Sequence, residues 1–277
     1  MLLNNNISMP ELGIGTYLIS PADAENSVCE ALRIGYRLVD TAGVYANERA
    51  VGRGIRKSGV EHKEIFVSTK LWISEYNNPN AVDETLERLG LDYVDLLYVH
   101  QCVGDYLNGY KIIEEAYKAG KVRAIGISNA YGDDLKAILE NAEIKPQVIQ
   151  VERHPYYTGK DIAKEIKENN LKVMAWYPLG HGDLDLFDKP VFADLSKKYG
   201  KTPAQIILRW HIQVGNCIIP GSKNPDHIRE NFNLYDFELT AEDMQKIAEL
   251  DSERKYFEFT EESKAMLLNF PAVYEEA

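Results

Sequence analysis

The chain of 277 residues is short of positive charge: 31 Lys and Arg stand against 43 Asp and Glu, a formal net charge of −12 at pH 7. Such a balance repels phosphate backbones, so no nucleic-acid partner is expected. The acid is dispersed without a single-sign block, which argues against an acidic disordered tail. Cysteine is scarce. Cys29, Cys102 and Cys217 are widely spaced with no C-x-x-C, which excludes a disulfide framework or a zinc site and fits reduced thiols. No apolar run reaches membrane-spanning length, and Met1-Leu2-Leu3-Asn4-Asn5-Asn6 lacks the basic and apolar regions of a signal peptide. A cytoplasmic protein with no membrane partner is therefore expected. No early strand carries a His-x-His, so no metal site is expected. Gly13-Ile14-Gly15 lacks the third glycine of a dinucleotide fingerprint, because position 18 is Leu, and it reads as a tight strand-end turn.

What is present is an ample apolar fraction, 45%, arranged in alternating strand-like and helix-like segments. Ser20-Pro21-Ala22-Asp23 reads as an N-cap, a proline at N1 and an acid at N3, opening a helix that stops at Gly35. Strands are expected near 12–15, 38–40, 65–70, 94–99, 122–127, 148–151, 171–176 and 217–220. Helices are expected near 47–58, 79–89, 109–119, 132–140, 160–169, 190–199, 202–214 and 240–250. Eight βα repeats predict an α/β fold of the (β/α)8 TIM-barrel class. A doubly wound sheet is the alternative and usually has fewer repeats. With no Pro/Gly/Ser-rich linker, residues 1–277 are read as a single domain, with a short N-terminal hairpin and a C-terminal tail over the mouth.

The C-terminal strand ends of such a barrel face one mouth. Read in order, they offer Asp40, Lys70, His100, Ser128 with Asn129, Gln150, Trp176 and Ser222. Tyr45 follows Asp40 in the next loop. A free phenol titrates near ~10 and gives up its proton reluctantly at neutral pH. An ammonium nearby favours phenolate; Lys70 would supply it and Asp40 would hold Lys70 in place. His100 would orient a carbonyl oxygen or relay a proton. A site of this kind turns a carbonyl into an alcohol, and a nicotinamide cofactor is the natural hydride source.

At these residues the chain resembles the aldo-keto reductase family. The carriers are Gly35-Tyr36-Arg37-Leu38-Val39-Asp40-Thr41-Ala42 with Tyr45, Asn47, Glu48, Val51 and Gly52; Ser68-Thr69-Lys70-Leu71-Trp72; residues 92–100 ending in His100; Gly126-Ile127-Ser128-Asn129; and residues 150–156. The similarity spans about residues 5–250 and leans toward the small bacterial diketogluconate-reductase-like subgroup. The resemblance implies a catalytic tetrad of Asp40, Tyr45, Lys70 and His100, with Tyr45 as general acid. It implies that Ser128, Asn129 and Gln150 hold the nicotinamide carboxamide and that Trp176 stacks on its ring. It places Thr16 and Tyr17 beside the cofactor, and Pro178, Leu179 and His181 along the pyrophosphate. The substrate would be a small-molecule carbonyl compound meeting Tyr17, Tyr45, Trp72 and His100, with loop 101–108 and tail 256–274 as further walls. The protein is expected to act as a monomer.

One departure concerns the cofactor's 2′-phosphate. The family commonly has Ile-Pro-Lys-Ser after the eighth strand, with an arginine six residues past the lysine. Here Gly221 replaces that lysine and His227 that arginine. Each lost charge-assisted contact costs about 1.5–3 kcal/mol. Ser222, Lys223 and a protonated His227 would compensate in part, and Glu230 with Asn231 retains the pair expected near adenine. NADPH is the expected cofactor, with a weakened preference and NADH also accepted. A cofactor-binding regulatory subunit is the competing reading, and the intact Asp40, Tyr45, Lys70 and His100 set argues for an enzyme.

Overall fold

A computed structural model describes residues 1–275. Eight parallel strands form one sheet in sequence order: β1 (Ile14–Gly15), β2 (Leu38–Asp40), β3 (Phe66–Leu71), β4 (Val94–Val99), β5 (Val122–Ser128), β6 (Val148–Glu152), β7 (Lys172–Trp176) and β8 (Asn216–Ile218). A parallel bridge from Leu12 to Ile218 brings the last strand back to the first. Gly13 N–H donates to Ile218 O at 2.8 Å and Ile218 N–H to Glu11 O at 2.9 Å, so the sheet curls onto itself.

Twelve α-helices are described: α1 (Pro21–Ile34), α2 (Glu48–Ser58), α3 (Ala81–Leu89), α4 (Tyr106–Lys118), α5 (Gly132–Asn141), α6 (Ala163–Glu168), α7 (Leu184–Phe187), α8 (Pro190–Tyr199), α9 (Pro203–Gln213), α10 (Pro225–Phe232), α11 (Ala241–Ala248) and α12 (Glu261–Leu268). The cap chemistry sets their ends. Ser20 accepts from Asp23 N–H at the start of α1, and Thr202 forms a reciprocal box with Gln205 at the start of α9. The α4 start differs from the expected 109, because the Asp105 side chain accepts from Asn108 N–H and begins the helix earlier. The helices α7, α10 and α12 were not expected. Asn224-Pro225 caps α10 as Ser20-Pro21 caps α1, and Thr260 caps α12.

Two apolar layers hold the sheet. The inner one gathers Leu38, Phe66, Leu96, Tyr98, Ala124, Val148, Met174 and Cys217 from the strands, and Leu3 and Met9 from the N-terminal segment close it. That segment folds back through an antiparallel bridge between Leu2 and Ser8. The outer layer packs strand residues such as Val39, Val67, Leu97 and Ile125 against the helices. Among the described residues, no helix is long and apolar enough to cross a membrane.

Candidate active site

Asp40, the last residue of β2, and Lys70, in β3, meet inside the sheet. Lys70 Nζ donates to Asp40 Oδ2 at 2.6 Å and to Thr41 O at 2.7 Å. The other carboxylate oxygen accepts from Ser68 Oγ at 2.7 Å and from Gln150 Nε2 at 3.2 Å. Burying an ion pair is affordable only with such complete hydrogen bonding. A single 3-10 turn, Gly43–Tyr45, then carries Tyr45 over the ammonium, whose Nζ lies 4.9 Å from the ring centroid. Asn47 fixes this loop: its Oδ1 accepts from Thr41 Oγ1 at 2.9 Å and its Nδ2 donates to Thr16 O and Ile19 O, both at 2.9 Å.

His100 follows β4. Its ring stands edge-on to Tyr45, with centroids 5.6 Å apart, and edge-on to Trp72 at 5.1 Å. Tyr17 is half-exposed, and its ring lies 5.1 Å from Tyr45. The structure thus brings Asp40, Tyr45, Lys70, His100, Trp72 and Tyr17 together. Among the described residues, His100 Nδ1 is buried without a hydrogen-bond partner.

The electrostatics differ in one respect from the sequence expectation. Lys70 was expected to draw the Tyr45 phenol toward ionisation. Burial instead pushes the phenol well above 10, with the Asp40 charge adding to it. The ammonium is largely spent on Asp40, so desolvation wins. Burial also lowers Lys70, against the opposing pull of Asp40. Burial, helped by the Lys70 charge, drives His100 well below 6.5, so its imidazole is neutral.

A nicotinamide needs a flat apolar face and fixed amide partners, and the next three strand ends fit it. Trp176, at the end of β7, leaves part of its ring exposed while its Nε1–H donates to Asn129 Oδ1 at 2.8 Å. Asn129 adopts a left-handed φ of 56°, its N–H donates to Gln150 O at 3.0 Å and its Nδ2 donates to Gln101 Oε1 at 3.2 Å. Ser128 and Gln150 are in register on β5 and β6 and both are buried. Thr16 is buried, and its Oγ1 donates to Asp40 O at 3.2 Å. Where the chain after β8 meets the end of β1 the backbones approach closely: a Cβ on Gly15 would come 2.6 Å from Ile219 O, and one on Gly221 2.9 Å from Gly15 O.

The remaining sequence candidates scatter more widely. Pro178 is buried and its carbonyl accepts from His211 Nε2 at 3.0 Å, Leu179 is half-buried, and exposed His181 stacks on Tyr177 at 4.3 Å. Lys223 and His227 are exposed, while half-buried Ser222 binds Asn224 N–H at 3.1 Å. Arg229 is engaged by Glu30 and Asp226. Glu230 accepts from Thr202 Oγ1 at 2.5 Å, and Asn231 is buried beside it. Three further groups shape the site, of which Gln101 belongs to the loop 101–108 expected as a wall. Gln101 orients Asn129 and directly follows His100. Tyr177 adds a second aromatic beside Trp176, at 4.7 Å. Glu152, one residue past the expected 148–151, ends β6. A residue-by-residue strand boundary would have revealed it.

The chain matches the model of the Aldo/keto reductase family over residues 11–252. It is 40% identical over 258 residues to glyoxal reductase from Bacillus subtilis, covering 91% of this chain and 93% of that protein. Methylglyoxal reductase DkgA from Escherichia coli (strain K12) is 35% identical over 251 residues, covering 89% and 91%. The crystal structure of an aldo-keto reductase from a Medee basin deep-sea metagenome library superposes with a TM-score of 0.90 at 40% identity, covering 93% and 97%. With the Asp40–Lys70 pair beneath Tyr45 and an eight-stranded parallel sheet of the same form, the chain belongs to the aldo/keto reductase family and is an NAD(P)H-dependent oxidoreductase.

Proposed function

We propose that the protein reduces small aldehydes and α-dicarbonyls of the glyoxal and methylglyoxal type to alcohols, with Tyr45 as general acid. The observation that carries this reading is the sealed Lys70–Asp40 pair with its ammonium over the Tyr45 ring. When bound, NADPH, or NADH with lower preference, supplies hydride to the carbonyl carbon. The carbonyl oxygen then takes the Tyr45 proton, and the Lys70 ammonium steadies the phenolate left behind. Neutral His100 donates a hydrogen bond to the same oxygen and aligns it. Partly exposed Tyr45 regains its proton from solvent at the mouth. The high affinity of the desolvated phenol for its proton keeps it protonated, ready to donate, throughout the neutral range.

In this reading Ser128, Asn129 and Gln150 hold the carboxamide and Trp176 backs the ring. Thr16, Pro178, Leu179 and His181 line the cofactor, Ser222, Lys223 and His227 meet its 2′-phosphate, and Glu230 with Asn231 meets adenine. Tyr17 and Trp72 flank the substrate. The whole chain works as one domain and as a monomer, its N-terminal hairpin closing the barrel floor and its C-terminal tail covering the mouth. The test is NADPH oxidation with methylglyoxal and a panel of aldehydes, for wild type and Tyr45→Phe. The variant is expected to lose about 10²–10⁴-fold in kcat and retain cofactor binding. Undiminished turnover would overturn the acid role, and cofactor binding without turnover in the wild type would favour a regulatory subunit.

A further inference from the structure

Glu152 is a carboxylate that the proposed chemistry does not use. It ends β6, is 1% exposed, and among the described residues no Lys or Arg pairs with it. Its oxygens serve a distant part of the chain. Oε1 accepts from Tyr256 N–H at 2.6 Å and Oε2 from Phe257 N–H at 3.2 Å, while His154 Nε2 lies 2.9 Å from Oε1. Two successive backbone donors converging on one carboxylate are charge-assisted and directional.

What leaves this anchor reaches the proposed pocket. Phe257 and Phe259 pack edge-on with centroids 4.9 Å apart, and both join Trp72, Val103 and Leu267 in one apolar cluster. After α12, Phe270 O accepts from Trp72 Nε1 at 3.2 Å, and the two rings lie 5.9 Å apart. Trp72 in turn stands against His100. The far end is also tied: Glu275 Oε2 accepts from Ala50 N–H at 2.9 Å on α2, and Oε1 pairs with Arg53 at 2.8 Å. Between the two ties Lys264 pairs with Asp134 at 3.4 Å and Leu267 is buried, but Met266, Leu268 and Phe270 are each more than half exposed. The start of the segment, held by Glu152, sets where these contacts fall.

We infer that Glu152 is a positioning residue for the substrate pocket: it fixes the start of the C-terminal segment and so sets the aromatic wall beside His100. This rests on the reductase reading above. A ring-bearing carbonyl substrate needs that wall, whereas a small dicarbonyl needs it less.

The experiment pairs hydrogen exchange over residues 256–270 with steady-state kinetics, using methylglyoxal and 4-nitrobenzaldehyde. Wild type, Glu152→Ala, Glu152→Gln and Glu275→Ala are compared, with circular dichroism as the folding control. In Glu152→Ala, exchange is expected to quicken by about tenfold or more across the segment. KM for the aromatic aldehyde is expected to rise about tenfold with kcat within about twofold, and KM for methylglyoxal to move less. Glu152→Gln keeps one carbonyl acceptor and recovers part of both effects. If Glu152→Ala does not fold, Glu275→Ala removes both side-chain ties at the other end and is expected to give the same KM pattern, smaller in size. Unchanged exchange overturns the anchor. Faster exchange with both KM values unchanged overturns the positioning role. A wild type that reduces no carbonyl overturns the functional reading and the pocket role with it, while exchange still decides the anchor.

Discussion

Lys70 Nζ and Asp40 Oδ2 lie 2.6 Å apart with their side chains 0% and 2% exposed, a charge pair sealed beneath Tyr45. Coulomb attraction at this distance is strong, but each ion has also lost its hydration. Removing one partner therefore strands the other. Asp40→Ala is expected to cost about 3–5 kcal/mol of unfolding free energy in urea. Asp40→Ala combined with Lys70→Met is expected to restore most of that stability without activity. A single variant as stable as wild type would refute the pairing energy.

A second prediction concerns acid. Burial pushes His211 from 6.5 down to about 3, and His100 in the same direction. The unfolded chain takes up these protons near 6.5 and the folded protein does not. Between these values the unfolded state binds more protons, so stability falls as pH falls from 6.5. The slope is up to ~1.4 kcal/mol per pH unit for each histidine. Glu75 and Asp95, whose carboxyls burial raises, act in the opposite sense. The comparison with His211→Gln isolates one group: its unfolding free energy between pH 7 and 5 is expected to be flatter than that of wild type.

Gly52 lies in α2 where a Cβ would run into the Leu89 carbonyl at the end of α3. Alanine favours a helix by up to about 1 kcal/mol over glycine. The obstacle is backbone rather than a mobile side chain, so the clash prevails. Gly52→Ala is expected to destabilise by about 1–3 kcal/mol in thermal or denaturant unfolding. A stabilised variant would show that the two helices separate freely.

Cofactor choice follows from the exposed Lys223 and His227 and the occupied Arg229. The kcat/KM ratio of NADPH to NADH is expected to stay below ~100, and His227→Arg to raise it about tenfold. A ratio far above that in the wild type would require another phosphate ligand.

The fold was legible because most strands repeated one local pattern, an apolar run with a polar group at or near its end. Asp40, Lys70 and His100 were visible for the same reason. Caps decided where helices stood, so α1 and α9 were legible near their true limits, while α10, capped by Asn224-Pro225, lies in a stretch whose polar residues pointed to cofactor binding rather than to a helix. The Tyr45 electrostatics were not legible, because desolvation depends on what covers the ring. Glu152 was hidden for a related reason. Its partners, Tyr256 and Phe257, are about a hundred residues away, and nothing in residues 150–156 hints at them.

The Leu12–Ile218 bridge has a consequence for how the protein is made. The first strand leaves the ribosome with one edge unpaired and waits for a partner about two hundred residues downstream. During synthesis the early repeats can stack on one another, but the seam joins only once the eighth repeat has emerged. Such distant pairing slows folding and exposes strand edges in the meantime. A nascent chain stalled before residue 218 should therefore be the species most in need of chaperone protection.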